Sequence, residues 1–323
     1  MIEPTLDIHL TDDDLDAALR SDARTGLTAN PKTLPPKWFY DARGSELFEA
    51  ITELPEYYPT RTERALLERV VGEIARTAQA EVLVELGAGS AAKTRLLLSA
   101  LLSEGPLKTY VPQDVSVSAL RGAAEQISTE FPNLAVHGVV SDFTRTLHNL
   151  PRGGRRMIAF LGGTIGNLVP QERAEFLAGI QQVLEPGEQL LLGAGLVTDP
   201  AVLVPAYDDA AGVTAEFNRN VLHVLNSRLH ADFEPDAFAH IAHWDAENEW
   251  IEMRLAATRD MTVTVADLDL VVDFAQGEQM RTEISAKFRV DGLGRELDSA
   301  GFATEQVWTD PDDRFALVLA ERR

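Results

Sequence analysis

Residues 82–92 read Val82-Leu83-Val84-Glu85-Leu86-Gly87-Ala88-Gly89-Ser90-Ala91-Ala92. The first five residues predict a short apolar strand, and the glycines after them predict a turn into a helix over 91–102. Such a turn lets a ligand approach the backbone, and the start of a helix offers it free N–H groups. The stretch therefore predicts a loop that holds an adenine-nucleotide cofactor.

Strands and helices alternate on both sides of this loop. A helix that begins at Thr60, with a capping box formed with Glu63, precedes it. Apolar strands that alternate with amphipathic helices imply a mostly parallel sheet covered on both faces. The strands predicted after the loop cover residues 109–112, 135–140, 157–161, 189–192 and 315–320, and helices are predicted from Ser116 to Thr129 and from Pro170.

The alternation fails in two places, and these predict a second domain. Prolines interrupt short helical segments before residue 60, and a helical stretch over 198–229 is followed by a hairpin over 239–265. We therefore expect residues 61–195 and 287–323 to form the cofactor-binding core. Residues 1–60 and 196–286 are predicted to form a smaller α+β substrate-binding domain.

The composition indicates which partners the protein can bind and in which compartment it acts. The chain carries 29 Lys and Arg against 51 Asp and Glu, a net charge of −22 that repels nucleic acid and anionic membranes. It contains no cysteine, and we find neither a signal peptide nor an apolar stretch long enough to span a bilayer. We expect a cytoplasmic monomer that acts on a small molecule.

Polar side chains follow the strands next to the loop. Asp114 ends the second strand, where a carboxylate accepts hydrogen bonds from ribose hydroxyls, and Asp142-Phe143 follows the third, where they suit an adenine amino group and ring. Individually, the two acids are equally well explained as helix caps and Phe143 as part of the core. Gly87-x-Gly89-x-x-Ala92 also fits the dinucleotide fingerprint, so an NAD-dependent oxidoreductase is an alternative.

Lys93, together with the acidic residue in Val84-Glu85-Leu86-Gly87, resembles the first motif of the class I methyltransferases. That resemblance implies an α/β fold: a Rossmann-like class I methyltransferase core that binds S-adenosyl-L-methionine and releases S-adenosyl-L-homocysteine. Gly87, Lys93, Asp114, Asp142 and Phe143 are then expected to hold this cofactor.

Six longer motifs run from near residue 30 to near residue 290, and they are too long and irregular to be generic to the fold. The motifs are Lys37-Trp38-Phe39-Tyr40-Asp41, residues 54–63 (LPEYYPTRTE), residues 160–168 (FLGGTIGNL), residues 206–212 (AYDDAAG), Phe217-Asn218-Arg219-Asn220 and residues 282–288 (TEISAKF). They resemble the histidine-specific methyltransferases that make hercynine, the trimethylated betaine of histidine used for ergothioneine.

The resemblance implies a set of contacts to L-histidine. Asn167 and Tyr207 are expected to bind its α-carboxylate, and Tyr57, Glu283 and Ser285 to meet its imidazole. Gly162 is expected beside the reacting amine, and Tyr57, Asn167 and Gly162 form the catalytic set. Tyr40 and Phe48 would line the space of the new methyl groups, while Met253, a core residue by its pattern, is within reach of the imidazole.

The sequence departs from the family motifs at two places, and other functions remain as alternatives. The family commonly has Thr-Asp where this chain has Ala194-Gly195, and an apolar residue where it has Gln113, so another substrate such as tryptophan is an alternative. Glu283 opposes it, because a carboxylate pairs better with imidazole than with indole. A non-catalytic histidine or nucleoside sensor is a third hypothesis. We expect no metal site, since His240-x-x-His243 in a strand places its rings on opposite faces.

Overall fold

The computed structural model describes residues 2–88 and 92–323, and the chain divides into two units. The first unit contains the residues up to Thr11, Thr62–Leu196 and Phe288–Arg323, and the second contains Asp12–Arg61 and Val197–Lys287. The helices are α1 Asp12–Thr28, α2 Ala42–Thr52, α3 Tyr58–Ala78, α4 Ala92–Glu104, α5 Val117–Glu130, α6 Pro170–Val183, α7 Pro200–Tyr207, α8 Val213–Leu229 and α9 Val290–Ser299. The strands are β1 Thr5–Ile8, β2 Val82–Leu86, β3 Thr109–Asp114, β4 Ala135–Val140, β5 Arg156–Phe160, β6 Gln189–Gly195, β7 Phe238–Asp245, β8 Trp250–Ala257, β9 Met261–Val265, β10 Leu270–Phe274, β11 Gln279–Ala286, β12 Phe302–Thr309 and β13 Phe315–Arg322.

An eight-stranded sheet forms the first unit, in the order β1-β4-β3-β2-β5-β6-β13-β12. Its strands from β1 to β6 are parallel, and β13 runs antiparallel to both of its neighbours. The glycine-rich loop follows β2, where the strand order reverses, and ligands of open α/β sheets bind at such a switch point. The predicted class I methyltransferase fold is confirmed, and the inserted β13 distinguishes it from the dinucleotide-binding order 3-2-1-4-5-6.

The start of the chain differs from the predicted domain division. Residues 1–60 were predicted to belong to the substrate-binding domain, but β1 pairs in parallel with β4 in the sheet of the first unit. The hydroxyl of Thr5 and the carboxylate of Asp7 each lie 2.9 Å from a ring nitrogen of His137. A four-residue strand held to its neighbour by backbone pairing and these polar contacts leaves little hydrophobic pattern in the sequence.

The second unit builds its core around α8. Strands β11, β8 and β7 form an antiparallel sheet, and β9 and β10 form a hairpin. Phe217, Val221 and Leu225, spaced along one face of α8, are buried in the same apolar cluster as Ile251 and Leu255 of β8. None of the helices in the described ranges is both long and apolar enough to cross a membrane.

A buried ion pair joins β5 to the start of β6. The Arg156 guanidinium is bonded to the Glu188 carboxylate, with Nη2 at 2.6 Å from Oε2 and Nε at 3.0 Å from both oxygens. The same carboxylate also accepts the Arg156 and Glu185 backbone N–H groups, at 3.0 and 2.7 Å. Removing one member of such a pair leaves the other charge buried and uncompensated.

We expect Glu188→Ala to lower the free energy of unfolding by about 3–5 kcal/mol, because it isolates the buried Arg156 guanidinium. Urea unfolding followed by circular dichroism measures this change. Glu68→Ala is the control, since it breaks the exposed Arg64–Glu68 pair and should cost about 0.5 kcal/mol or less. Equal effects of the two substitutions would contradict the assignment.

Candidate functional site

Gly87 opens the turn after β2 and has a φ of +72°, a conformation that favours glycine. Its N–H donates to the Gln113 carbonyl at 2.9 Å, which fixes the loop against the end of β3. A Cβ at this position would lie 3.7 Å from the Phe143 ring, so Gly87 and Phe143 are neighbours as the cofactor assignment requires. Gly89, Ser90 and Ala91 lie outside the described residues.

The two carboxylates that were predicted to hold the cofactor lie at the ends of neighbouring strands. Asp114 closes β3 and accepts the Ser116 N–H at 3.0 Å, and Asp142, two residues after β4, accepts the Thr144 N–H at 2.9 Å. Both acids therefore shape turns at the carboxyl edge of the sheet, where ligands of this fold bind. The half-buried Phe143 ring packs on Phe160, with centroids 5.3 Å apart.

The departure at Gln113 has a physical account. Its side chain is 1% exposed, and its amide nitrogen donates to the Ser141 hydroxyl at 2.5 Å. A polar pair thus takes the place of an apolar contact between β3 and β4. Ala194 and Gly195 complete β6, where they pair with Ala316 and Phe315 of β13.

Glu63 is a site residue that the sequence analysis missed. The predicted capping box with Thr60 is wrong, because α3 begins at Tyr58 and the Glu63 side chain is fully buried elsewhere. One oxygen of its carboxylate accepts from the Lys93 ammonium, and the other accepts the Gly162 N–H at 2.7 Å. The carboxylate therefore joins a predicted cofactor residue to a predicted catalytic residue within the first unit.

Glu85, the acid of the first motif, is held below the loop. Its carboxylate accepts from the Thr94 hydroxyl at 2.7 Å and the Tyr110 hydroxyl at 2.6 Å. Burial raises the pKa of Glu85, and these two hydrogen bonds oppose the rise. Thr94 lies in α4, so the contact ties that helix to β2 and β3.

In the second unit, five aromatic side chains form a continuous wall. Tyr40 packs edge-on against Phe48 and Phe217, with centroids 5.6 and 5.3 Å apart. Tyr57 continues the wall, at 6.3 Å from Phe48 and 6.1 Å from Tyr207. Tyr40 is 47% exposed, whereas Tyr207 is buried, so the wall runs from the surface towards a closed end. Phe217 belongs to it although the sequence analysis gave it no role.

The closed end of the wall is polar. The hydroxyls of Tyr207 and Ser285 are 2.8 Å apart, and the Lys287 ammonium lies 2.8 Å from the first and 2.7 Å from the second. Burial raises the pKa of Tyr207, and the nearby Glu283 carboxylate raises it further. Burial lowers the pKa of Lys287 to about 8, against the attraction of the same carboxylate. Lys287 is a second residue that the sequence analysis did not single out.

Asn218 on α8 holds this polar end in place. Its side-chain oxygen accepts from the Thr282 hydroxyl at 2.6 Å, and its amide nitrogen donates to His240 Nδ1 at 2.8 Å. His240 Nε2 in turn donates to the Tyr207 carbonyl at 2.8 Å. Burial lowers the pKa of His240, in keeping with a neutral ring whose two nitrogens serve this network. His243 points to solvent, and the described residues contain no group of three metal-ligating side chains.

Thr282 also marks a bulge in β11. Arg281 pairs with Arg254 and Glu283 with Met253, so Thr282 is an extra residue between two consecutive partners. A bulge of this kind redirects the side chains that follow it. Met253, directly across from Glu283, is 2% exposed and packs in the apolar core.

Asn220, two residues further along α8 in the same motif, holds the open end of the wall. Its amide nitrogen donates to the Phe39 carbonyl at 2.9 Å and to Asp41 at 2.8 Å, on either side of Tyr40. Gly44 makes this approach possible, because a Cβ there would lie 1.7 Å from the Phe39 oxygen. The structure thus brings Tyr40, Phe48, Tyr57, Tyr207 and Ser285 together in the second unit, with Glu283 electrostatically coupled to them.

Gly162 and Asn167 belong to the first unit, after β5. Gly162 has a φ of +80°, and a Cβ on it would lie 3.6 Å from the Lys93 ammonium, so these two predicted residues are neighbours. Asn167 ends a 3₁₀ helix over Thr164–Asn167 and is partly buried.

A family model described as "Histidine-specific methyltransferase, SAM-dependent" matches residues 19–322. The chain is 52% identical to a histidine N-alpha-methyltransferase of Mycolicibacterium smegmatis, over 97% of this chain and 98% of that protein. It is 30% identical to ergothioneine biosynthesis protein 1 of Neurospora crassa, over 91% of this chain and 34% of that protein. A 4-dimethylallyltryptophan N-methyltransferase of Aspergillus fumigatus is 26% identical over 96% of this chain and 94% of its own length.

We expect Gly193→Ala to lower the free energy of unfolding by about 1–3 kcal/mol through overpacking. A Cβ on Gly193 would lie 2.4 Å from Glu63 Oε1 and would displace the carboxylate that Lys93 and Gly162 share. Gly294→Ala in α9 is the matched control, since a Cβ there meets nothing within 4 Å and helix propensity favours alanine. Urea unfolding of both variants measures the difference. A Gly193→Ala variant as stable as the control would contradict the close packing of Gly193 against Glu63.

Proposed function

Because the chain belongs to the histidine-specific, S-adenosylmethionine-dependent methyltransferase family, we propose that it trimethylates the α-amino group of L-histidine. The product is hercynine, and the proposed place of the reaction is ergothioneine biosynthesis. S-adenosyl-L-homocysteine is the second product. The two relatives that act in histidine methylation and ergothioneine biosynthesis, by their names, support this assignment.

The observation that carries the proposal is the aromatic wall with a polar end. A trimethylammonium group donates no hydrogen bonds and is best accommodated by aromatic faces. An imidazole, in contrast, needs a hydrogen-bonding partner for each nitrogen. The second unit supplies both environments, because Tyr40, Phe48 and Phe217 contribute aromatic rings and Ser285 and the Glu283 carboxylate contribute polar groups.

The residues of the first unit fit the proposed cofactor. Gly87 exposes its backbone beside the Phe143 ring, and Asp114 and Asp142 follow neighbouring strands, a set suited to an adenosine with free hydroxyls and an amino group. We assign the amino-acid end to Lys93, whose ammonium is held by Glu63. S-adenosylmethionine, when bound, supplies a methyl group on a sulfonium, which needs no nucleophilic side chain from the protein.

The protein's own contribution is therefore to bind and orient the two substrates and to exclude water from them. We propose that Glu283 and Ser285 hold the ring, which leaves the α-amine as the free nitrogen. Tyr207 is assigned to the α-carboxylate and Tyr57 to the imidazole. For the first unit we keep the assignment of Gly162 to the amine and of Asn167 to the carboxylate. Met253 is assigned to the apolar support of Glu283 rather than to a direct contact.

Tryptophan is the alternative substrate, because one relative is named as an N-methyltransferase of a tryptophan derivative. Glu283 argues against it in this chain. An indole has one N–H and no ring acceptor, so a pocket with a carboxylate and a hydroxyl serves it poorly. The oxidoreductase hypothesis loses its support, since the family match and the antiparallel β13 both point to methyl transfer.

The proposed activity is tested by incubating the purified chain with S-adenosylmethionine and each of the twenty amino acids separately. Mass spectrometry should detect three added methyl groups on histidine and no product from tryptophan. Trimethylation of tryptophan would favour the alternative substrate. Binding of histidine without any methylated product would favour a sensor.

We expect Glu283→Ala to weaken L-histidine binding roughly 10- to 150-fold, the equivalent of about 1.5–3 kcal/mol for a hydrogen bond to a charged group. Affinity for S-adenosylhomocysteine should stay within about twofold of the unsubstituted protein, since Glu283 is assigned to the ring alone. Titration calorimetry measures both. The exposed Glu247→Ala, in the turn between β7 and β8, is the charge-matched control. Unchanged histidine binding in Glu283→Ala would refute the assignment.

We expect Tyr40→Leu and Phe48→Leu to slow the third methyl transfer up to about 30-fold, the equivalent of about 2 kcal/mol of cation–π stabilisation. Mono- and dimethylhistidine should then accumulate in a time course followed by mass spectrometry. Tyr40→Phe keeps the ring and serves as the control, with a product ratio close to that of the unsubstituted protein. Leucine variants that still yield only trimethylhistidine would argue against an aromatic role.

A further inference from the structure

The Lys287 ammonium, the Tyr207 hydroxyl and the Ser285 hydroxyl form a closed hydrogen-bonded triangle, with sides of 2.7 to 2.8 Å. All three side chains are 7% exposed, so water contributes little to their pairing. Lys287 follows β11 directly, and its backbone N–H donates to the Glu249 carbonyl at 2.8 Å. Hydrogen bonds therefore anchor both the backbone and the ammonium of Lys287.

A count of donors shows what this triangle does. An ammonium has three N–H donors and no acceptor, whereas a hydroxyl has one donor and two lone pairs. Lys287 must therefore donate to both oxygens, and each oxygen gives up one lone pair. One hydroxyl then donates to the other, and the second hydroxyl proton points out of the triangle. If a ligand replaces the bond between the hydroxyls, both of their protons are left to donate to it.

We propose that Lys287 is a positioning residue that commits Tyr207 and Ser285 to donate hydrogen bonds to the substrate. The inference deepens the proposed function and rests on it. The groups that receive these two hydroxyl protons are acceptors, namely the carboxylate oxygens and the unprotonated ring nitrogen of histidine.

The two side chains that are assigned to the imidazole then differ in their hydrogen-bonding roles. Glu283 and Ser285 are two positions apart on β11 and therefore point to the same face of the strand. A carboxylate accepts, and a hydroxyl backed by Lys287 donates, so the pair matches a neutral imidazole with one N–H and one bare nitrogen. Imidazolium offers two N–H groups and no bare nitrogen, so the Ser285 hydroxyl proton would find no acceptor on the ring. Indole offers no acceptor at all, so Lys287 adds to the discrimination that Glu283 provides.

A double-mutant cycle on histidine binding tests the proposal. Titration calorimetry with S-adenosylhomocysteine present gives the dissociation constant for L-histidine in four proteins: unsubstituted, Lys287→Met, Ser285→Ala and the double variant. Lys287→Met keeps the volume of the stem and removes the donors. We expect each single substitution to weaken binding about tenfold, as for a hydrogen bond to or from a charged neighbour. The second substitution should then cost less than about twofold, because the residues act as one unit.

Lys32→Met is the matched control, since Lys32 is a mostly buried lysine of the same unit, 13% exposed, that pairs with Glu278 away from the wall. It should leave histidine affinity unchanged. Should Lys287→Met fail to fold by circular dichroism, Lys287→Leu, which also removes the donors, replaces it in the same cycle. Additive losses, or histidine binding unaffected by the Lys287 substitution, would overturn the proposal. Methylation of histidine by the unsubstituted protein is measured separately, so a failure of the proposed function is recognised independently.

Discussion

Two buried amide side chains on α8 hold both ends of the candidate substrate site, and its geometry depends on them. Asn218 connects Thr282 on β11 to His240, and through it to the backbone of Tyr207. Asn220 holds the carbonyl of Phe39 and the carboxylate of Asp41. Buried polar groups are costly unless they are paired, so the bonds that these amides make favour one arrangement of their partners. The aromatic wall and the polar end are thus set by the same helix.

A second buried group organises the first unit. Glu63 has no access to solvent, and its carboxylate joins the Lys93 ammonium to the backbone of Gly162. Gly193 leaves room for that carboxylate, because any side chain there would collide with it. Lys93, assigned to the cofactor, and Gly162, assigned to the reacting amine, are therefore positioned by one buried carboxylate. Positioning is what a transfer reaction without a protein nucleophile requires.

The fold was largely predictable because its strands are short apolar runs between strong turn signals. Val82–Leu86 and Ala135–Val140 match the predicted strands, and the helix at Pro170 begins where proline predicts it. The edge strand Thr5–Ile8 escaped prediction, since four residues with one exposed face carry little periodicity. The strand Phe302–Thr309 also escaped, because its middle residues are polar and exposed.

The site was predictable only where a motif carried it. Family resemblance located Glu283 and every aromatic residue of the wall except Phe217, and the structure groups these residues in the second unit. Glu63 was misread because a Thr and a Glu three residues apart fit a capping box, and only the tertiary structure shows where the carboxylate goes. Lys287 was overlooked because a lysine is usually exposed. Its partners are Tyr207 of α7 and Ser285 of β11, a tertiary arrangement that no local pattern reveals.

The central claim is that the protein holds the imidazole and leaves the α-nitrogen free to be methylated. It is tested most directly by NMR of the product made from L-histidine and S-adenosylmethionine carrying a ¹³C-labelled methyl group. The account predicts a single labelled resonance from three equivalent methyl groups on the α-nitrogen. The resonances of the two C–H carbons of the imidazole should show no sign of methylation on the ring. A labelled methyl group on either imidazole nitrogen would contradict it, because the ring would then be the nucleophile rather than the part that Glu283 and Ser285 hold.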